Sequence, residues 1–405
     1  MKLILSLPAV FLILLNLTAE ACTSIIISGK STPDGRPIMW KNRDTDTYQN
    51  AVKYFNDGKY SSIGLIDSDD PSGESVWIGY NSVGFAIMNT ASYNLIMNDS
   101  IDLKDREGFV MREALMQCAT VDEFETFLNN YQKPMGVEAN FGVIDAVGGA
   151  AYFEVSNFSY KKLDVNDAAL APMGYMIHTN FSFTGDPNSG SGQIRYQTAE
   201  DLFYQAAQQN SLTVRFILQD VSRSLYHSLT KTDLKKNFSE NPAEQKYMNF
   251  TDFITRYFSS AAVVIQGVKT GENVDFTTMW AVLGFPLTSV VTPLWLCMGE
   301  KQPALVTLEN TGTAPLCDKA IQLKKQLFPI KKSYGENYIN INALYNAAGN
   351  GIMQKLKPLD DMIFEKALKN LDAWRSNKNF KQEIPEFYRF MDQEIGKQYL
   401  DLFGI

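Results

Sequence analysis

The sequence predicts an α+β fold, a sandwich of β-sheets faced by helices, on three observations. Runs rich in β-branched residues recur in blocks with polar or glycine breaks between them. Stretches of helical periodicity near 107–131 and 200–229 interrupt those blocks. From about Tyr334 onward the pattern turns helical. An apolar fraction of 45% with 12% aromatic residues, in a chain of 405, suits one large or two modest globular domains.

The N-terminus comes first. Lys2 supplies a positive start, residues 3–17 form an apolar run, and Ala19-Glu20-Ala21 has the small-x-small pattern that signal peptidase cuts after. Residues 1–21 therefore read as a secretory signal, and Cys22 becomes the first residue of the mature chain. A cysteine in that position carries a thiol and a free α-amine, and the amine, with a reference pKa of about 8, can serve as the base that activates the thiol. Two other readings compete. One makes Cys22 a lipid anchor, although Ala19 and Glu20 fit a lipoprotein signal poorly. The other pairs it in a disulfide with Cys118, Cys297 or Cys317, although four cysteines in a chain this long make no disulfide framework. Cys118 falls on the apolar face of a predicted helix and reads as core. Whether Cys297 and Cys317 pair is left open.

Residues 22–28 and 37–40 read as strands about the turn Thr32-Pro33-Asp34-Gly35. Folding that hairpin returns residues 44–46, give or take about two, to the start of the first strand. A carboxylate there would orient the new α-amine and also raise its pKa, with Lys41 and Arg43 as the balancing cations. An alternative makes Arg43 and Asp44 a solvated ion pair. Further strands are expected at 61–66, 75–80, 85–89, Ala139–Ile144, Ala150–Val155, 176–180, 261–269, 277–283 and 304–308. Helices are expected at 107–118, at 120–131 behind a Thr120-x-x-Glu123 capping box, at 200–208 and at 212–229. Ile363, Ala367, Leu371 and Trp374, then Phe387, Phe390, Met391 and Ile395, mark packing helices in the tail.

Composition excludes several classes. A net charge of -8 with no basic block argues against nucleic acid as a partner. No second long apolar run follows the first, so no membrane span is expected in the mature chain. Only His178 and His227 are present, which leaves little material for a zinc site or a Ser-His-Asp scheme; neither metal nor organic cofactor is expected.

Cys22-Thr23-Ser24-Ile25-Ile26 followed by Trp40-Lys41-Asn42-Arg43-Asp44 resembles the N-terminal-nucleophile cysteine amidases: the choloylglycine hydrolases, acid ceramidase and the acyl-coenzyme A:isopenicillin N acyltransferases. Gly79-Tyr80-Asn81-Ser82-Val83-Gly84-Phe85-Ala86, His178-Thr179-Asn180 and Ser191-x-x-x-Arg195 resemble later elements of that group, in the same order. The resemblance covers 22–329 and implies a four-layer αββα sandwich over 22–330, with 331–405 as a helical extension outside it. It implies that Cys22 is the nucleophile, that Asp44 orients the α-amine, and that Lys41 stands where the bile salt hydrolases have arginine. It further implies that Asn180 and Asn89 bind the oxyanion and that Arg195 supports the nucleophile's surroundings. Tyr152, Phe153, Phe181, Phe183 and Trp295 are candidates for an apolar acyl pocket or for core.

The expected activity is exported hydrolysis of linear, non-peptide amide bonds in a small acyl-amide substrate, through a thioester on Cys22. Acyl transfer from that thioester to an amine and dipeptide cleavage are the enzymatic alternatives. A lipid-anchored surface binding protein is the non-enzymatic one. The protein is expected in the periplasm or outside the cell, with a homo-oligomer possible.

Overall fold

Thr23–Ile27 (β1) consists of four β-branched residues and a serine, and every one of them is buried. A strand buried on both faces must lie inside a stack of layers rather than at its surface. The computed structural model, which describes residues 21–95, 100–101, 103–308 and 312–405, places β1 in that position. The expected signal at 1–21 lies outside the described residues except for Ala21.

β1 pairs antiparallel with Ile38–Asp44 (β2). Asn50–Phe55 (β3), Ser62–Asp67 (β4), Ile78–Asn81 (β5), Ala86–Ala91 (β6), Ala139–Ile144 (β7), Ala150–Val155 (β8) and Tyr160–Asp164 (β9) follow as a seven-stranded antiparallel meander in sequence order. The six-stranded sheet runs Tyr175–His178 (β10), β1, β2, then strands Ser259–Gln266, Thr278–Leu283 and Thr292–Leu294, again all antiparallel. The two sheets face each other through β1 and β2 on one side and β6, β7 and β8 on the other. Polar links cross that interface, such as Ser24 Oγ to Tyr152 Oη at 2.8 Å and Tyr80 Oη to the Thr277 carbonyl at 2.9 Å.

Helices cover both outer faces. Glu107–Gln117 (α1) and Val121–Asn130 (α2) lie on the seven-stranded sheet, where Phe124 packs edge-on against Phe153 at 5.1 Å. Thr120 caps α2 by accepting from the Glu123 N–H at 3.1 Å, as its spacing predicts. On the six-stranded sheet lie Gln193–Gln208 (α3), through Phe203 against Trp40, and helix Pro315–Leu327. Helices Ile352–Trp374 and Ile384–Phe403 form the tail, and they pack into the domain rather than trail from it. Phe364 stacks on Trp280 at 5.3 Å, Trp374 and Tyr388 pack on Trp295, and Asp360 is buried in a bidentate pair with Arg223 at 2.7 and 3.1 Å.

Several elements differ from expectation. Residues 212–229 are not one helix: a short helical turn passes into a π-helical turn at Ile217–Val221, which ends so that Tyr226–His227 can pair with Thr232–Asp233. Residues 304–308 form a 3-10 turn at Ala304–Val306 instead of a strand; Pro303 ahead of it removes a ladder donor, and Asp392 takes up the N–H groups of Ala304 and Leu305. Strands β3 and β9 and helix Pro315–Leu327 are additions to the elements the sequence predicts. β9 has one buried residue, Leu163, and so lacks a strand's alternation. All four cysteines are free, so Cys297 and Cys317 do not pair, and Cys118 is buried at the end of α1.

Candidate active site

Cys22 is buried and directly precedes β1. In the hairpin Thr23 lies opposite Asn42 and Ser24 opposite Lys41, so the next step of the ladder sets Cys22 opposite Arg43. That is one residue before 44–46 and within the two-residue allowance of the expected register. The connection is longer than a tight turn: Gly29–Ser31 forms a 3-10 turn before the Thr32–Gly35 turn, and the strands part at Ile27 and Ile38.

Alternation along β2 then divides its four polar residues between two faces. Lys41 and Arg43 turn toward the seven-stranded sheet. Lys41 Nζ donates to Asn89 Oδ1 at 2.7 Å and to the Trp77 carbonyl at 3.1 Å. Arg43 donates to Asn50 Oδ1 at 2.7 Å and to both Asp67 oxygens at 2.6 and 3.0 Å, with its guanidinium 4.7 Å from the Trp77 ring centre. Asn42 and Asp44 turn the other way. Asp44 accepts from Ser259 Oγ at 2.6 Å and Arg256 Nε at 2.7 Å, and Asn42 Nδ2 donates to the Ile254 carbonyl at 3.0 Å. The cation bonded to Asp44 is thus Arg256, and the expected pairing of Asp44 with Lys41 and Arg43 is not the one observed.

Arg195, in the first turn of α3, reaches the same place. One guanidinium nitrogen donates to the Cys22 carbonyl at 2.7 Å and to Thr23 Oγ1 at 2.8 Å, and the other donates to Asn180 Oδ1 at 2.7 Å. Asn180 Nδ2 in turn donates to the Ala91 carbonyl at 2.9 Å. Glycine is required at 192, where φ is +86° and a Cβ would lie 2.4 Å from Arg195 Nη2.

Burial and then the neighbouring positive charge of Arg256 pull the Arg195 pKa down to about 10, against the opposing pull of Asp44 and Cys22. Burial also works to lower that of Arg256, but the charge and hydrogen bond of Asp44 outweigh it, and the net shift is upward. Both guanidinia therefore sit in the field of Asp44, Asp252 and Cys22.

A cavity of about 550 Å³ opens beside this cluster, lined by Phe181, Phe183, Pro187, Gly192, Ile194 and Asp252 among others. Its loop is anchored from beneath. Buried Glu154 accepts from the N–H groups of Phe183 at 2.6 Å and Thr184 at 2.9 Å and from His178 Nε2 at 3.0 Å. Phe181 and Phe183 are thus at the cavity, whereas Tyr152 and Phe153 are buried in β8 and Trp295 is core beneath the tail helices.

The structure brings Cys22, Asp44, Asn180 and Arg195 into one cluster, pairs Lys41 with Asn89 between the sheets, and puts Arg43 with Asp67. Sequence reading missed Arg256, Ser259 and Asp252. They fall at or just before the start of strand Ser259–Gln266, the neighbour of β2, whose first residues must meet the last residues of β2 in an antiparallel pair. Periodicity does not say which strand is that neighbour. Among the described residues no group of His, Cys, Asp and Glu is arranged to hold a metal ion.

A two-sheet α+β sandwich with a buried cysteine at the head of its inner strand, tethered through its carbonyl by an arginine, defines the class. The chain belongs to the acyl-coenzyme A:6-aminopenicillanic acid acyl-transferase family, whose model matches residues 31–251. Cys22 precedes the matched segment and Arg256 follows it. No curated protein matches the sequence. Among solved structures, the chain is similar to a variant of conjugated bile acid hydrolase from Clostridium perfringens, at 12% identity and a TM-score of 0.40, over 68% of this chain and 93% of that one. It is similar to penicillin V acylase from Agrobacterium tumefaciens at 15% identity and a TM-score of 0.35, over 68% and 86%. A Caenorhabditis elegans N-acylethanolamine-hydrolyzing acid amidase ortholog matches at 16% identity and a TM-score of 0.37, over 60% and 92%.

Proposed function

We propose that the protein is an exported amidohydrolase that uses Cys22 as nucleophile and the Cys22 α-amine, freed by signal removal, as base. The observation that carries this reading is the Arg195 bridge from the Cys22 carbonyl to the Asn180 side chain, with Asp44 and Arg256 in the same electrostatic field. Cys22 Sγ attacks the carbonyl carbon of a small acyl amide, and the thiol proton passes to the α-amine. Asn180, with a backbone N–H, stabilises the oxyanion once its amide leaves the Ala91 carbonyl. The C–N bond breaks as the ammonium returns its proton to the leaving amine. Water then adds to the thioester, gives its proton to the α-amine, and releases the carboxylic acid as the thiol re-forms. Asp44 orients the α-amine, and Arg195 fixes the backbone that carries it. Lys41 and Asn89 support the nucleophile from between the sheets. The cavity beside Phe181 and Phe183 takes an apolar group of the substrate.

Membership of a family named for acyl transfer supports a second reading, in which the thioester passes its acyl group to an amine instead of water. Amine release by the exported protein and its Cys22→Ala variant, from conjugated bile salts, penicillin V, N-acyl amino acids, N-acyl ethanolamines and dipeptides, tests both. Release of acid and amine that is lost in the variant supports hydrolysis. Release that depends on an added amine and yields a new amide supports transfer. Equal release by the variant, or none by either protein, rejects the nucleophile.

A further inference from the structure

Lys324 is a buried lysine that none of the chemistry above uses. It lies on helix Pro315–Leu327 and is 5% exposed. Its Nζ sits in a cage of rings, 3.8 Å from the centre of Tyr48, 4.2 Å from Tyr257 and 5.2 Å from Phe285. Among the described residues it forms no ion pair. An ammonium over ring faces is attracted by their quadrupoles, most strongly where water is excluded.

The sequence positions of the two tyrosines give the cage its meaning. Tyr48 stands four residues beyond Asp44, on the loop that leaves β2. Tyr257 directly follows Arg256 and stands two residues before Ser259, and those two side chains donate the shortest hydrogen bonds to Asp44, at 2.7 and 2.6 Å. The rings meet edge to face at 5.9 Å. The loop is fixed from a second side as well, because the Asn50 N–H donates at 3.3 Å to the sulfur of Cys317, two turns back on the same helix. A helix of the outer layer thus closes on both segments that build the Asp44 site.

We propose that Lys324 is a positioning residue for the nucleophile: its ammonium, held between Tyr48 and Tyr257, fastens the Asp44 loop to the Arg256 segment and offsets the negative charge that Asp44 presents to the Cys22 amine. The inference rests on Cys22 being the nucleophile. The charged and titratable groups facing Lys324 are Asp44 and Tyr48 from the β2 side, Tyr257 from the segment before strand Ser259–Gln266, Cys317 on its own helix and Lys331 beyond that helix. Asp46 and Glu336 act on Tyr48, and Glu336 also acts on Tyr257. Burial is the main reason that the Lys324 pKa falls to about 7, with Asp44 opposing the fall, so the clamp carries its full charge only on the acid side of neutrality.

The sign follows. A positive charge near the α-amine and thiol disfavours the ammonium and favours the thiolate, so it moves thiol activation to lower pH. The full chain is expressed for export, its N-terminus at Cys22 is verified by intact mass, and Cys22 alkylation by iodoacetamide is followed from pH 5 to 9. Lys324→Met fills the cage without charge, and Lys324→Arg keeps the charge at every pH. At pH 6 Lys324→Met should react about threefold more slowly than wild type, the effect of about half a pKa unit when one charge that faces Asp44 is removed. Lys324→Arg should match wild type at pH 6, and at pH 9 Lys324→Met and wild type should react alike. Parallel loss at every pH in both variants would reduce Lys324 to a structural residue and overturn the proposal. Profiles identical to wild type in both would overturn it too. Cys22→Ala separates the two levels: labelling undiminished in that variant removes the nucleophile itself, whereas labelling lost there, with unchanged Lys324 profiles, removes only the clamp.

Discussion

Arg256 Nε lies 2.7 Å from Asp44 Oδ2, and this pair closes the buried end of β2 against the strand beside it. Asp44 is 1% exposed, and that guanidinium and the Ser259 hydroxyl donate to its two oxygens. Arg256→Leu should lower stability by ~2–4 kcal/mol, because the buried carboxylate keeps its bond from Ser259 but loses its cation. Asp44→Asn in the same chain should restore part of the loss while activity stays absent. Urea unfolding of the two variants and the double variant measures the coupling; strict additivity would mean that the pair carries no mutual stabilisation.

Gly192→Ala tests the seating of Arg195. The added methyl meets Arg195 Nη2 and the Thr179 side chain in a backbone conformation at φ +86°. A small displacement of Arg195 releases the Cys22 carbonyl and Asn180 together, and kcat/KM should fall about a hundredfold. The loss in folding stability should be ~1–2 kcal/mol. Wild-type turnover in a folded Gly192→Ala protein would contradict the bridge.

The His178–Glu154 pair makes the cavity loop sensitive to acid. Burial first, against the pull of Glu154, depresses the His178 pKa below 6.5, so the unfolded chain takes up that proton first and stability falls as pH drops through 6.5. Burial works to raise the Glu154 pKa, but its bonds from His178, Thr184 and Phe183 carry it below 4.5, so its contribution is held above that pH and lost beneath it. The urea midpoint should fall from pH 7 to pH 5, and His178→Gln should flatten that fall. An equal slope in both proteins would remove His178 as its source.

The tail helices are part of the folding unit. Asp360 is buried against Arg223, which also donates to the carbonyls of Pro286 and Ser289 at 3.0 Å each. Asp360→Ala should destabilise the protein by ~3–5 kcal/mol. Truncation after residue 351 exposes Trp280 and Trp295 and should give aggregated protein, measured by size-exclusion chromatography of the soluble fraction.

The hairpin at Cys22 is legible because β-branched residues and a Pro-Asp-Gly turn are local signals, and β7 and β8 read to their observed bounds for the same kind of reason. Asn180 and Arg195 are legible through a resemblance of short motifs. Arg256 and Asp252 are not, since their meeting with Asp44 and Arg195 depends on which strand lies beside β2 and on the path of the chain after α3. The division of Lys41 and Arg43 from Asp44 is within reach, because alternation along one strand already sends them to opposite faces. Lys324 has no local signal: on a solvent-facing pattern a lysine reads as exposed, and only the tertiary cage makes it a buried one.

The central claim is that Cys22 becomes the N-terminal residue and carries the acyl group. The most direct measurement is the mass of the N-terminal peptide from exported protein quenched in acid during turnover of a cleaved panel amide. The account predicts a peptide that begins at Cys22, gains the mass of the acyl group on sulfur, and loses it on treatment with hydroxylamine. A different N-terminus, a lipid-modified Cys22, or turnover with no adduct on Cys22 would contradict it.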